Sequence, residues 1–223
     1  MTAGQAPYAP RQTDAAPGPR ASRGTRLVAK RMFDLAVASL LLVLTVPLLA
    51  LAALAIRARM GAPVLFAQRR LGVGGREFSL YKLRTMRTAT AGPWDPSRDG
   101  ERLTPLGATL RRWSIDELPQ LWNVLRGDMS LVGPRPLPVE YGPRFSATQH
   151  RRHLVRPGIT GWAQVHGRNT SSWAERLAHD VWYVDHWSLA LDVRILLATV
   201  RAVVGGAGVS RGGGVTMPEF RGE

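Results

Sequence analysis

Asp116 and Glu117 stand side by side in the stretch SIDELPQLWNVLRGDMSLVGPRP, residues 114–136, of a chain with 16 acidic and 30 basic residues. Ser114 and Glu117 have the S-x-x-E spacing of a helix capping box. That geometry would put Asp116 in a first helical turn, where the helix dipole favours its ionised form. By itself the spacing is only a cap. Arg111 and Arg112 lie just upstream, and a carboxylate kept ionised beside an anion-binding site can attack phosphorus to form an aspartyl phosphate. Glu117 could then bind a hard cation or move a proton. Arg135 is held between Pro134 and Pro136, whose rings restrict the backbone on both sides, so gripping a phosphate costs it little entropy. Arg156, ahead of Pro157-Gly158, and Arg168, in GRN, are similar candidates. Asp180 and Asp192 are acids in a mainly apolar and aromatic stretch, where most acids are solvated or salt-bridged. None of the five His has zinc spacing with other ligands. There is no Ser/His/Asp signature and no glycine-rich nucleotide fingerprint.

These residues need a body to hold them, and the sequence outlines one. The 223 residues suffice for one domain with a core, alone or with an anchor. The formal charge of +14 points to anionic partners: nucleic acid, an anionic membrane surface or phosphorylated substrates. Lysine occurs only at Lys30 and Lys82, and the other 28 basic residues are Arg, whose planar fork grips phosphate through two hydrogen bonds. The absence of Cys excludes disulfides and thiolate metal sites. Residues 1–25 are rich in Ala, Pro, Gly and Arg and read as a disordered tail. Residues 26–60 contain an apolar run from Met32 to Ile56 with one charge, Asp34. A bilayer span needs roughly 20 such residues. One spanning helix kinked at Pro47 fits. So does a helix that breaks at Pro47 and returns to the face it entered, since both flanks are basic and a spanning segment usually shows a bias to one side. In that case the Thr45 hydroxyl could serve the carbonyl that the proline frees.

The body, residues 61–204, reads as mainly α with a small β-hairpin. PVLFAQRRLGVGGREFSLYKLRTM suggests two strands around a turn at Gly72–Gly75. The GVGG is a hairpin turn rather than a phosphate loop, since no helix signal follows it. Residues 88–102 read as a loop. LGATLRRW and the segment from about Glu117 to Arg126 read as short helices, and PVEYGPRFSATQHRRHLV as a broken one. VRPGITGWAQVHGRN, punctuated by Gly, reads as irregular. From Ser172 to Val204 the pattern is helical with a break near Ser188, and its amphipathic last part suits a membrane interface. The Gly-rich segment 205–223 reads as flexible or turn-rich.

KRMFDLAVASLLLVLTVPLL, KLRTM, SIDELPQLWNVLRGDMSLVGPRP, VRPGITGWAQVHGRN and DVWYVDHWSLALD occur in that order, and GVSRGGGVTMPEFRG closes the chain. Together they resemble the bacterial sugar transferases that are small, monotopic polyprenyl-phosphate phosphoglycosyl transferases. The resemblance runs from about Ala29 to the end, and the DELPQLWNVLRGDMSLVGPRP block is its most specific part. It implies that a UDP-sugar loses its sugar-1-phosphate to the enzyme, UMP leaves, and a polyprenyl phosphate, typically undecaprenyl phosphate, takes the sugar phosphate as a membrane-bound diphosphate. It further implies that Asp116 is the nucleophile and Glu117 its catalytic partner, with Mg²⁺ bound nearby by Glu117. Arg111, Arg135 and Arg168 match basic positions that hold phosphate. Asp180 and Asp192 match acids with supporting roles. Val46 stands before Pro47 where relatives often have Ser, and His166 stands where Asn is common. The resemblance selects the re-entrant helix, broken at Pro47, on the cytoplasmic face of the bacterial inner membrane. Expected partners are the UDP-sugar, the polyprenyl phosphate and membrane lipids. Self-association is left open and nucleic acid is not expected: the Arg are scattered rather than gathered in a stripe, and the apolar run has no use in a nucleic-acid-binding module. A non-catalytic membrane scaffold for polysaccharide assembly is the remaining alternative.

Overall fold

The computed structural model describes residues 20–87, 99–166, 172–205 and 219–222. The expected tail (residues 1–25) and Gly-rich end lie largely outside these, and so do most of the expected loop and Arg168. The elements in chain order are α1 (Arg20–Met60), β1 (Leu65–Leu71), β2 (Glu77–Leu83), α2 (Asp99–Arg102), α3 (Pro105–Arg112), α4 (Gln120–Arg126), β3 (Ser130–Val132), α5 (Ala147–His150), β4 (Gly158–Thr160), α6 (Trp162–His166), α7 (Trp173–His186) and α8 (Leu189–Val204). Short 3₁₀ turns at Val73–Gly75, Ile115–Glu117, Val139–Arg144 and Arg151–Leu154 link them. The body is mostly helical, as expected, with the predicted hairpin: β1 pairs antiparallel with β2, Leu65 opposite Leu83 and Leu71 opposite Glu77.

α1 is Ala- and Leu-rich and has 41 residues. The expected division at Pro47 is not seen: the helix continues through the proline. A proline removes one N–H and crowds the carbonyl of Val43, which kinks a helix more readily than it ends one. The Thr45 hydroxyl does not serve that carbonyl. It donates to Leu41 O (2.7 Å) and Leu42 O (3.3 Å). One stripe of the helix, Lys30, Asp34, Ala38, Leu42, Leu49, Ala52, Ile56 and Met60, is buried or half-buried at helical spacing. Phe33, Val37, Ala38 and Leu42 pack in the main core with Leu121, Val124, Leu131 and Ile195. Leu49, Ala52, Ile56 and Met60 pack with Leu83, Leu110 and Ile115. The opposite face is apolar and bare: Val43, Leu44, Leu51 and Leu54 are each at least 65 % exposed.

Both flanks of the apolar run in α1 are tied to this one body. At the start, Lys30 Nζ bridges Asp34 (2.9 Å) and Asp192 (2.8 Å), both buried. Asp192 also accepts from Tyr183 Oη (2.7 Å) and Trp187 Nε1 (3.2 Å), while Asp34 accepts from Leu131 N. Arg31 donates to the carbonyls of Val124 (2.7 Å) and Leu125 (3.1 Å) near the end of α4. At the far end Arg84 donates to the carbonyls of Met60, Gly61 and Ala62, capping the helix where its dipole is negative.

The described part of VRPGITGWAQVHGRN, up to His166, is more regular than expected. Its Gly158–Thr160 forms β4, parallel to β3, with Ser130 opposite Gly158 and Val132 opposite Thr160. The glycines permit backbone-to-backbone contact: a Cβ on Gly133 would lie 2.3 Å from Arg156 O, and one on Gly158 2.1 Å from Gly133 N. The break before α8 falls at Trp187-Ser188, as expected, with the Ser188 hydroxyl accepting from Leu191 N. The chain end returns to the body, where Phe220 is buried against Tyr141, Phe145 and Trp173. Arg144 donates to Glu219 Oε1 (2.7 Å) and to Phe220 O.

Removing Lys30 would leave two buried carboxylates without their cation, a cost of about 3–5 kcal/mol. The exposed Arg69–Glu77 pair contributes about 0.2–1 kcal/mol. Lys30→Met is therefore expected to lower Tm by roughly 6–20 °C and Arg69→Met by a few degrees at most. Thermal unfolding of detergent-solubilised protein checks this, and equal shifts would refute the anchoring role of Lys30.

Candidate active site

α3 ends at Trp113. Ser114 then takes a left-handed conformation (φ 54°), and its N–H donates to Arg111 O (3.0 Å). The turn Ile115–Glu117 follows, and α4 begins after Pro119. The capping box expected at Ser114 and Glu117 does not form. Ser114 makes no side-chain cap, its N–H is already taken, and the Glu117 carboxylate points to cations instead. Lys82 Nζ and Arg135 Nη2 both donate to Glu117 Oε1, each at 2.7 Å.

Asp116 is buried, at 6 % exposure, and its carboxylate makes no hydrogen bond or ion pair with any described residue. Burial, and the Glu117 charge beside it, push its carboxyl above the ordinary value, against the pull of Lys82, Arg111 and Arg135. The expectation that a helix end holds Asp116 ionised is thus replaced: nearby cations favour the charge, and desolvation opposes it more strongly. Burial also opposes the charge on Glu117, but there Arg135 and Lys82 prevail and hold the carboxyl well below the usual carboxylate range. The Glu117 charge in turn raises the Arg135 guanidinium. Two adjacent carboxyls are thereby driven apart: one is firmly ionised, and the other is protonated more readily than an ordinary aspartate.

Each cation is held by its own element. Lys82 comes from β2, docked on α4 by Asn123. The Asn123 amide donates to Ser79 O (2.8 Å) and accepts from Tyr81 N (3.2 Å), imitating a neighbouring strand. Arg111, in the last turn of α3, donates through Nε to Thr85 Oγ1 (3.0 Å). Arg135 is braced from behind: Arg152 Nη2 donates to Arg135 O (2.6 Å), and Arg152 is itself held by Asp180 Oδ2 (2.7 and 3.1 Å). Asp180 therefore supports the site through Arg152. Asp192 does not join it, because its partners are Lys30, Tyr183 and Trp187 at the base of α1. Arg156 donates to Gly127 O at the end of α4. Arg168 lies outside the described residues, and Pro47 lies in α1, away from the carboxylates in sequence and packing.

Lys82, Asn123 and Arg152 were not singled out from the sequence. Lys82 carried a signal: it is one of two lysines in an arginine-rich chain, and both lie between carboxylates and packed elements. As carboxylate oxygens for a hard cation, the site leaves Asp116 and Glu117 Oε2. No group of three His, Cys, Asp or Glu suited to a metal occurs among the described residues.

The family model described as bacterial sugar transferase matches residues 25–206. The chain is 47 % identical over 196 residues to the uncharacterized sugar transferase EpsL of Bacillus subtilis, covering 88 % of this chain and 97 % of that protein. It is 45 % identical over 185 residues to the UDP-glucose:undecaprenyl-phosphate glucose-1-phosphate transferase of Caulobacter vibrioides, covering 78 % and 69 %. It is also 40 % identical over 187 residues to the UDP-N-acetylgalactosamine-undecaprenyl-phosphate N-acetylgalactosaminephosphotransferase of Aeromonas hydrophila, covering 80 % and 44 %.

Asp116 binds its proton more readily in the folded than in the unfolded state, so its charge removes stability as pH rises from the ordinary carboxylate value through the raised one. Asp116→Asn lacks that effect. The variant's Tm advantage over wild type is expected to be smallest near pH 4 and to grow toward neutrality. Thermal unfolding across pH reads this, and an advantage that shrinks with rising pH would contradict the assignment.

Proposed function

The chain belongs to the bacterial sugar transferase family and is a phosphoglycosyl transferase, and from this we propose that it moves a sugar-1-phosphate from a UDP-sugar to a polyprenyl phosphate through an aspartyl-phosphosugar intermediate. The names of its relatives support the donor and acceptor classes. The observation that carries the mechanism is the buried Asp116 carboxylate, without a hydrogen-bond partner among the described residues, beside Glu117 and three cations. In the first step an Asp116 oxygen attacks the sugar-bearing phosphorus, the bond from that phosphorus to the bridging oxygen breaks, and UMP leaves. In the second a phosphate oxygen of the polyprenyl phosphate attacks the same phosphorus. The bond to Asp116 breaks, and the carboxylate is regenerated. One diphosphate linkage is lost and one gained, so no external energy source is needed.

Arg111 and Arg135 offset the repulsion between Asp116 and the anionic substrates, and Arg168 belongs to the proposal by position in the family motif. Glu117, pinned by Lys82 and Arg135, acts as a fixed negative charge rather than an acid at neutral pH. Mg²⁺ is part of the proposal: Asp116 and Glu117 Oε2 suit a cation that completes its shell with substrate phosphates and water. Bound there, it would neutralise phosphate charge as bonds change.

The second substrate lies in lipid, which gives a use to the bare apolar face of α1. A spanning helix would carry its two ends to opposite sides of the membrane. Here the same body holds Lys30–Arg31 and Met60–Ala62, which supports an α1 that enters and leaves on one face. The exposed Leu197, Val200 and Val204 of α8 suit the same surface. We place the protein on the cytoplasmic face of the bacterial inner membrane, at the first membrane step of a glycoconjugate. The bare apolar face of α1 and the carboxylate site speak against a nucleic-acid-binding role and a passive scaffold.

A panel of UDP-sugars assayed for UMP release with Mg²⁺ and polyprenyl phosphate is expected to identify the donor. Quenching with donor labelled in the sugar-proximal phosphate should leave label on wild type and none on Asp116→Ala, whose rate falls roughly 10³-fold or more while membrane association persists. A near-wild-type rate in the variant would end the nucleophile assignment. Since the chain has no Cys, single cysteines at positions 25 and 59 can be labelled from each side of sealed vesicles. Both are expected to react from the same side, and labelling from opposite sides would mean a spanning helix.

A further inference from the structure

A cleft beside the carboxylate pair is lined by Arg70, Leu80, Lys82, Gln120, Arg135 and Pro136. Lys82 and Arg135 are the two cations on Glu117, so the cleft shares two of its lining residues with the site. Arg70 and Gln120 have no part in the reaction as written above. Gln120 opens α4, four residues after Asp116, and is 2 % exposed. Its amide makes no hydrogen bond with any described residue, and Nε2 is sealed from solvent. A buried primary amide without a partner has lost its hydration and gained nothing in return, an arrangement native proteins rarely keep.

Arg70 repeats the pattern. Its guanidinium is fixed by Pro136 O (3.2 Å) and Gln68 Oε1 (2.6 Å), yet its Nε is buried with no partner among the described residues. Burial and the like charge of Arg135 lower it to about 10, so it remains a cation at neutral pH. Of the two carboxylates that favour its charge, Glu140 acts more strongly than Glu117, and Glu140 is exposed. The cleft lining holds three cations, Arg70, Lys82 and Arg135, and no carboxylate, and Glu117 pairs with only the latter two. The surplus is positive, and it sits beside an amide that needs a partner.

We propose that Gln120 and Arg70 form a subsite for a substrate phosphoryl group: the Gln120 amide, by a half-turn about its terminal bond, donates an N–H to a non-bridging oxygen, and Arg70 neutralises that oxygen's charge. The inference rests on the phosphoglycosyl-transfer reading. Two ligands carry the chemistry, the diphosphate of the donor and the phosphate monoester of the acceptor. The two half-reactions separate them.

The test uses full-length protein in lipid nanodiscs, with the active UDP-sugar, polyprenyl phosphate and Mg²⁺. Gln120→Leu keeps the volume and removes the donor, and Gln120→Glu turns it into an anion. Gln120→Leu is expected to raise KM for one substrate about tenfold, with kcat changed much less, and Gln120→Glu to raise it further. An effect on aspartyl-adduct formation assigns the subsite to the donor diphosphate, and an effect on adduct discharge assigns it to the acceptor phosphate. Arg70→Met should raise the same KM, and Arg70→Lys should restore part of the loss. Tm is measured alongside, so that folding defects are scored apart. Folded variants of Gln120 and Arg70 whose KM for both substrates stays within twofold of wild type would overturn the subsite. A wild type that neither releases UMP nor forms an adduct would instead overturn the parent reading.

Discussion

One oxygen organises the site. Glu117 Oε1 receives both Lys82 and Arg135, which arrive from β2 and from the segment after β3. Without that shared acceptor, two cations would face each other across a half-buried cleft. With it, the hairpin, the turn carrying Asp116 and the proline-flanked arginine are fixed in one register. Among the described residues the neighbouring carboxylate is left without a hydrogen-bond partner, and burial raises it above the ordinary aspartate value. An exposed carboxylate wrapped in water is a weak nucleophile toward an anion. For a buried one with cations near it, desolvation opposes the charge and the cations favour it, and at Asp116 desolvation is the larger effect.

Behind this first layer lies a second whose members never face the cleft. Asp180 holds Arg152, Arg152 holds the backbone of Arg135, and Asn123 holds β2 and so Lys82. The close approach of Gly133 to Gly158 lets the segment bearing Arg135 lie against the one bearing Arg156. The third buried network, Lys30 with Asp34 and Asp192, fastens α1 to α8. The same device, a lysine between packed elements and carboxylates, joins the hairpin to the turn carrying Asp116 in one place and α1 to α8 in another.

Much of this could be read along the chain. The apolar run, the hairpin around GVGG, the short helix over LGATLRRW and the break before Ser188 have local causes: hydropathy, glycine and a serine cap. The Asp116–Glu117 pair and Arg135 were visible by type and spacing. What could not be read depends on partners distant in sequence. The S-x-x-E spacing suggested a cap, but Glu117 is drawn to a lysine 35 residues away. β4 was hidden because its glycines, read as irregularity, allow strand pairing across 28 residues. The roles of Asp180 and Asp192 separate only when Arg152 and Lys30 are seen between the elements they join. Pro47 was given too much weight: a helix whose stripe packs along a body can tolerate the loss of one hydrogen bond.

The two lysines have a practical consequence. Lys30 is enclosed by Asp34 and Asp192, and Lys82 is only about one-fifth exposed beside Glu117. Among the described residues the outer surface therefore offers its positive charge almost wholly as guanidinium, to which amine-directed acylating reagents are blind. Such a reagent turns into a selective reporter: its rate at Lys82 times how often the hairpin lifts from the acidic turn, and its rate at Lys30 times how often the anchor comes loose from the globular part.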